Sequence, residues 1–112
     1  MRFHVPIRLP SLSNARLHWR RLDRIKRQQK EATYYCLRGK AIPPPPLVVT
    51  ITRVGPGRLD DDNLSGACKY VRDEIARAVG VDDGSNQYTW RYEQRVGDYG
   101  VDVEIVERGD GE

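Results

Sequence analysis

Residues 2–9 alternate strictly. Phe3, Val5, Ile7 and Leu9 fall on one side, and His4, Pro6 and Arg8 on the other. This predicts a strand with one buried face. Pro6 lacks an N–H and assigns the strand to a sheet edge or a ladder end. Pro10-Ser11-Leu12-Ser13-Asn14 is a turn rich in cap residues, with Asn14 the expected N-cap. A helical period follows over residues 15–37, with Ala15, Leu17, Leu22, Ile25, Ala32, Tyr35 and Cys36 inward and Arg, Lys and Gln outward. Gly39 and the four prolines at 43–46 end it, the prolines forming a stiff, extended spacer.

The run LVVTITRV at 47–54 predicts the best-defined strand. After an interruption at 55–57, Leu64, Ala67, Cys68, Val71, Ile75 and Ala78 recur at helical spacing, and Gly80 stops that helix. Tyr88, Trp90 and Tyr92 alternate, as do Val101, Val103 and Ile105, which predicts two strands joined through residues 97–100 as a hairpin. Residues 108–112 read as a frayed tail. The order β-α-β-α-β-β implies an α+β fold, a single small domain spanning 1–112 with a mixed sheet packed by two helices.

At 112 residues the chain suits one domain that buries about 65% of its unfolded surface. It has no run of 18 apolar residues to span a membrane, and its first residues lack the apolar core of a signal peptide. The two cysteines, Cys36 and Cys68, lie in helical patterns and are expected to be free core residues. Together with His4 and His18 they lack zinc-site spacing.

Charge changes the picture more. Residues 1–40 carry eleven lysines and arginines against Asp23 and Glu31, a charge of +9, whereas the remainder carries −6. The overall +3 therefore conceals a basic first third suited to a polyanion and a separate acidic feature. A solvated basic helix is the plainer alternative.

The acids gather at two places. Asp60, Asp61 and Asp62 stand where a strand hands over to a helix, and Asp82 and Asp83 where that helix ends. Capping and turn formation explain single members of each group. If the groups meet, like charges in one cavity call for a cation, and hard oxygen ligands favour Mg²⁺ or Mn²⁺. Such a site beside a basic surface is equipment for phosphodiester hydrolysis. On one continuous helix Asp62, Lys69 and Asp73 share a stripe. Lys69 could then reach a phosphate, or simply pair with Asp73. His18 and Trp19 could stack on an unpaired base, although a half-buried packing role is the commoner one for a tryptophan. Tyr88, Trp90 and Tyr92 suit a core or a dimer interface.

The set Arg58-Leu59-Asp60-Asp61-Asp62-Asn63-Leu64, then Lys69, Asp73 and Gly80-Val81-Asp82-Asp83, resembles the RusA family of Holliday junction endonucleases, chiefly its phage and prophage members. The opening Leu9-Pro10-Ser11-Leu12-Ser13-Asn14 before a basic helix is similar too, so the resemblance covers nearly the whole chain. It implies a RusA-like fold and a homodimeric, Mg²⁺-dependent endonuclease. Such an enzyme resolves four-way junctions and other branched DNA in recombination and repair, in the cytoplasm of a bacterial or phage-infected cell. Asp60 and Asp62 match the first catalytic pair and Asp83 the remaining catalytic aspartate, with Asp82 beside it as a further metal ligand. Lys69 matches the functional lysine after an insertion, Ser65-Gly66-Ala67. The expected DNA contacts are Arg16, His18, Trp19, Arg20, Arg21, Arg24, Arg27 and Lys30. Two competitors are a branched-DNA-binding module without cleavage and a protein that meets an acidic partner through the basic helix.

Overall fold

The β-branched run becomes β2 (Leu47–Gly55), and the rest of the sheet is arranged around it. In the computed structural model, which describes residues 1–12 and 18–109, the other elements are β1 (Arg2–Val5), α1 (Trp19–Leu37), α2 (Asp61–Ala67), α3 (Lys69–Val79), β3 (Tyr88–Val96) and β4 (Gly100–Glu107). The four strands run in the order β1-β4-β2-β3. β4 is antiparallel to both β1 and β2, while β3 is parallel to β2.

The expected hairpin therefore does not form: β3 and β4 flank β2 and do not pair with each other. The reason is burial. The inward side of β2 (Leu47, Val49 and Ile51) is fully buried. Such a strand satisfies its backbone groups best with a neighbour on each edge. The 97–99 connection crosses the end of β2, where Gly97 N–H donates to the Gly55 carbonyl at 3.0 Å.

β1 is an edge strand, as Pro6 requires, and it ends at Val5, although Leu9 is still fully buried. Alternation puts Val5, Val49, Ile51, Val103 and Ile105 on one sheet face, where they form the core with Leu37, Leu64, Val71 and Ile75 of the helices. The opposite face is polar. There Arg2 pairs with Glu104 at 2.6 Å, and Asp102 lies between His4 (2.6 Å) and Arg95 (2.7 Å). The His4 ring packs on Gly100, where any Cβ would collide with it.

α1 starts at Trp19, with His18 as its N-cap in place of Asn14, which lies outside the described residues. Its inward line is Gln29, Thr33 and Leu37, flanked by the half-buried Ala32 and Cys36. Tyr35, expected inward, is 65% exposed. Its phase differs from that of Leu37 by two residues, or about 200° of helix rotation.

The second predicted helix is two. α2 ends and α3 begins at Cys68, whose N–H reaches the carbonyls of Leu64 and Ser65, both at 3.2 Å. Gly66, a poor helix former, precedes the break. Gly80 closes α3 with φ +86°, a conformation in which glycine is unstrained. Cys36 and Cys68 are both free, and burial pushes the Cys68 thiol up to about 12. Arg108 is tied down rather than frayed. Its N–H donates to the Pro46 carbonyl and its guanidinium to Thr89 and to the Asn86 carbonyl. Among the described residues no helix is long and apolar enough to cross a membrane.

Candidate acidic site and nucleic-acid interface

One strand positions both acidic segments. Trp90, Tyr92 and Gln94 alternate with the exposed Arg91, Glu93 and Arg95, so their side chains share the helix-facing side of β3. The Gln94 amide clasps Leu59: its Oε1 accepts from the Leu59 N–H at 2.9 Å, and its Nε2 donates to the Leu59 carbonyl at 2.7 Å. That fixes the chain just before Asp60. Trp90 Nε1 donates to the Asp83 carbonyl at 2.9 Å, and the Tyr88 hydroxyl donates to the Val81 carbonyl at 2.7 Å. Burial, then Asp83 and Asp82, push the Tyr88 phenol above its ordinary range, so it stays a donor. Tyr88 is buried, while Trp90 and Tyr92 are half-buried and packed against the core.

Asp60 is the N-cap of α2 by backbone position, and its carbonyl accepts from Leu64 N–H at 2.8 Å. Its carboxylate makes no capping bond. Asp61 and Asp62 follow in the first turn, where the helix dipole favours anions. All three are exposed, and none has a side-chain hydrogen bond or ion pair among the described residues. Asp82 is engaged locally: its Oδ2 accepts from Gly84 N–H at 3.0 Å, a turn of the kind its sequence suggests.

Asp83 has a stronger partner. Arg72 Nε donates to its carboxylate at 2.9 Å, and Arg72 Nη1 donates to the Tyr92 hydroxyl at 2.7 Å. The same guanidinium lies 5.1 Å from the Trp90 ring centroid. Lys69 opens α3, exposed, with Nζ 5.9 Å from the Tyr70 ring and no ion pair to Asp73. The break at Cys68 removes the common stripe expected for Asp62, Lys69 and Asp73. Asp73 instead lines a 450 Å³ hollow with Asp82 and Asp83.

Asp60, Asp62 and Asp83 were expected to converge on one cation. Among the described residues no three carboxylate, imidazole or thiol groups stand together in that way. The anchor points explain it. Gln94 and Trp90 are four residues apart on one strand, about 13 Å. Arg72 fills the interval by reaching Tyr92. The donors are chemically right for Mg²⁺ or Mn²⁺, but as placed they do not enclose one ion.

The basic helix is presented as its charge implies. Trp19 is 67% exposed, which corrects the half-buried role. Its ring stacks with His18 at 5.7 Å, and Arg20 lies 5.2 Å from its centroid. His18 Nδ1 accepts from Arg20 N–H at 3.3 Å, so the capping bond orients the imidazole. Arg20, Arg24 and Arg27 follow i, i+4, i+7 on the side opposite Gln29 and Leu37. Arg27 pairs with Asp23 at 2.8 Å. Arg21, Arg24 and Lys30 make no ion pair among the described residues. Arg16 lies outside those residues.

Two arginines escaped the sequence reading. Arg72 leaves no signal beyond being a charge in a helix. Arg53 does leave one, since it stands at an inward position of a β-branched strand. It is buried, and it donates to the carbonyls of Leu9 at 2.8 Å and Gly57 at 2.9 Å. It thus ties the loop before α1 to the loop before α2.

Comparison with protein-family models, with curated proteins and with solved structures finds no match to this chain. The RusA resemblance rests on its own residues.

Proposed function

We propose that this chain binds branched DNA through α1 and hydrolyses its phosphodiester backbone at the acidic segment. It would act on four-way junctions as a homodimer with Mg²⁺ or Mn²⁺, in the cytoplasm of a bacterial or phage-infected cell. The observation that carries this reading is the condition of Asp60, Asp61 and Asp62: three adjacent, exposed carboxylates with no capping, hydrogen-bonding or ion-pairing role among the described residues. Adjacent carboxylates repel one another, and a bound cation with a preference for hard oxygen ligands would relieve that repulsion. The RusA resemblance supports the same assignment.

The arginines of α1 meet phosphates and set the register of the DNA without reading its sequence. Trp19, oriented with His18, offers a face to an unpaired base. Gln94, through Leu59, holds the entry to Asp60. Lys69 stands ready to neutralise a phosphate at the start of α3. Asp60 and Asp62 would hold the metal, which when bound would supply a polarised water and charge neutralisation, while Asp83 stays paired with Arg72. A two-fold dimer would match the two-fold symmetry of a junction, one acidic segment to each of two strands.

The test is purified protein, a four-way junction and Mg²⁺. Asp62→Asn binds the junction and does not nick it. If that variant cuts at the wild-type rate, the catalytic acids lie elsewhere. A second reading, a junction-binding module without cleavage, is favoured by the Arg72–Asp83 pair, which neutralises the third acid without a metal. Junction binding in EDTA, with no nicking in Mg²⁺ or Mn²⁺, selects it.

A further inference from the structure

Two tyrosines at the C-terminal end of α1 stand in solvent. Tyr34 is 41% exposed and Tyr35 65%. Their rings meet edge to face with centroids 5.3 Å apart. Each is accompanied by a guanidinium: Arg77 of α3 lies 5.4 Å from the Tyr34 centroid, and Arg38 lies 6.0 Å from that of Tyr35. The position of Arg77 is set by the fold, because the buried Glu74 pairs with it. Beside the rings lies a 420 Å³ hollow that Lys26 and Lys30 also line. Neither lysine makes an ion pair among the described residues. Of the acids in that hollow, Asp23 and Glu74 are already paired with arginines, which leaves Glu31 against the two lysines.

Exposed aromatic faces backed by arginine, with unpaired lysines next to them, fit one class of partner well. A base stacks on the ring whatever its identity, and the phosphates beside it meet the cations. A protein partner with an acidic surface would use the lysines but not the ring faces. The patch also continues the basic face of α1. Trp19, another exposed aromatic with an arginine against it, lies fifteen residues from Tyr34, about 22 Å along the helix axis and about 60° around it. That is the length of roughly seven base steps at 3.4 Å each.

We propose that Tyr34 and Tyr35 form a stacking platform for an unpaired base of a DNA strand running along α1, with Lys26 and Lys30 contacting its phosphates. The inference rests on the DNA-binding part of the function proposed above and is independent of cleavage. It makes α1 a two-ended reader, with an aromatic contact at each end and arginines between.

The test is a forked oligonucleotide with 2-aminopurine in its unpaired arm, titrated in EDTA against wild type, Tyr34→Ala/Tyr35→Ala and Tyr34→Phe/Tyr35→Phe. Wild type and the Phe pair quench the fluorophore on binding. The Ala pair loses the quench, and its affinity for the fork relative to a plain duplex falls about tenfold or more. Its melting curve stays close to wild type, since both rings are exposed. Unchanged fork affinity and quench in the Ala pair overturn the platform and leave the nuclease reading standing. So does an equal loss on fork and duplex. A change in oligomeric mass without a change in quench overturns it in favour of a surface for a second copy of the chain. If wild type binds no DNA, both readings fall.

Discussion

The Arg72 guanidinium holds the Asp83 carboxylate at 2.9 Å, and both groups are about 30% exposed. Through Nη1 Arg72 also donates to the Tyr92 hydroxyl, and its guanidinium lies over the Trp90 ring. One side chain thus joins α3, the turn after it and the middle of β3.

Replacing Arg72 should therefore loosen the acidic turn. Arg72→Ala removes two charge-assisted hydrogen bonds and a ring contact, and is expected to cost about 1–3 kcal/mol. Arg72→Lys is expected to recover less than half of that, since an ammonium cannot serve Asp83 and Tyr92 with one rigid fork. Urea unfolding monitored by Trp90 fluorescence measures both. Wild-type stability in Arg72→Ala would mean that the turn is held by Trp90 and Tyr88 alone.

DNA binding should be strongly salt-dependent. Each phosphate contact from α1 contributes about −0.9 to the slope of log affinity against log salt. Arg24→Gln and Lys30→Gln, which remove cations with no internal partner, should each lower that slope by about 1. Arg27→Gln should lower it less, because Asp23 already shares its charge. Fluorescence anisotropy at several salt concentrations reads this directly. Equal slopes in all three variants would remove α1 from the phosphate interface.

Acid stability should depend on Asp102. The hydrogen bond from His4, and then that from Arg95, hold its carboxyl below the ordinary aspartate range. A carboxyl with a depressed folded pKa stabilises the native state above its unfolded pKa and ceases to do so as pH falls through the folded value. The loss is thus expected below about pH 4, the ordinary aspartate value. Urea midpoints measured from pH 6 to pH 2 should fall more steeply for wild type than for Asp102→Asn. Parallel curves would show that the outer-face pair contributes nothing to folding.

Gln29 is 2% exposed, and neither atom of its amide has a protein partner among the described residues. An unsatisfied buried amide costs about 1–3 kcal/mol in mutational series. Gln29→Met, which keeps the length of the side chain, should raise stability by about 1 kcal/mol or more. A thermal melt of the variant measures it, and a lower melting temperature would show that the amide has a satisfied role.

Much of the chain declares itself through short-range physics. Period-two alternation and a ring that lacks an N–H place β1 at an edge. A β-branched run marks β2 as a strand. Glycine at the end of a helical period stops α3 at Gly80. Clustered arginines on one helical phase make the basic face of α1, and Asp60, Asp61 and Asp62 are visible as a triplet without any coordinates. These features depend on residues within a turn or two of each other.

What required the folded chain is long-range. Pairing partners decide that β3 lies parallel to β2 instead of folding back on β4, because β2 has two edges to satisfy. The break at Cys68 takes Lys69 off the stripe of Asp62, and that depends on how α2 and α3 each pack on the sheet. Arg72 is eleven residues from Asp83 and twenty from Tyr92, a relationship no local pattern encodes. The exposure of Tyr35 follows from which line of α1 faces the sheet. The sequence by itself determined which groups are acids and cations and which segments carry them. Only the tertiary structure decided which of them neutralise each other and which remain open to a ligand, because charge pairing acts through space over distances that chain order does not specify.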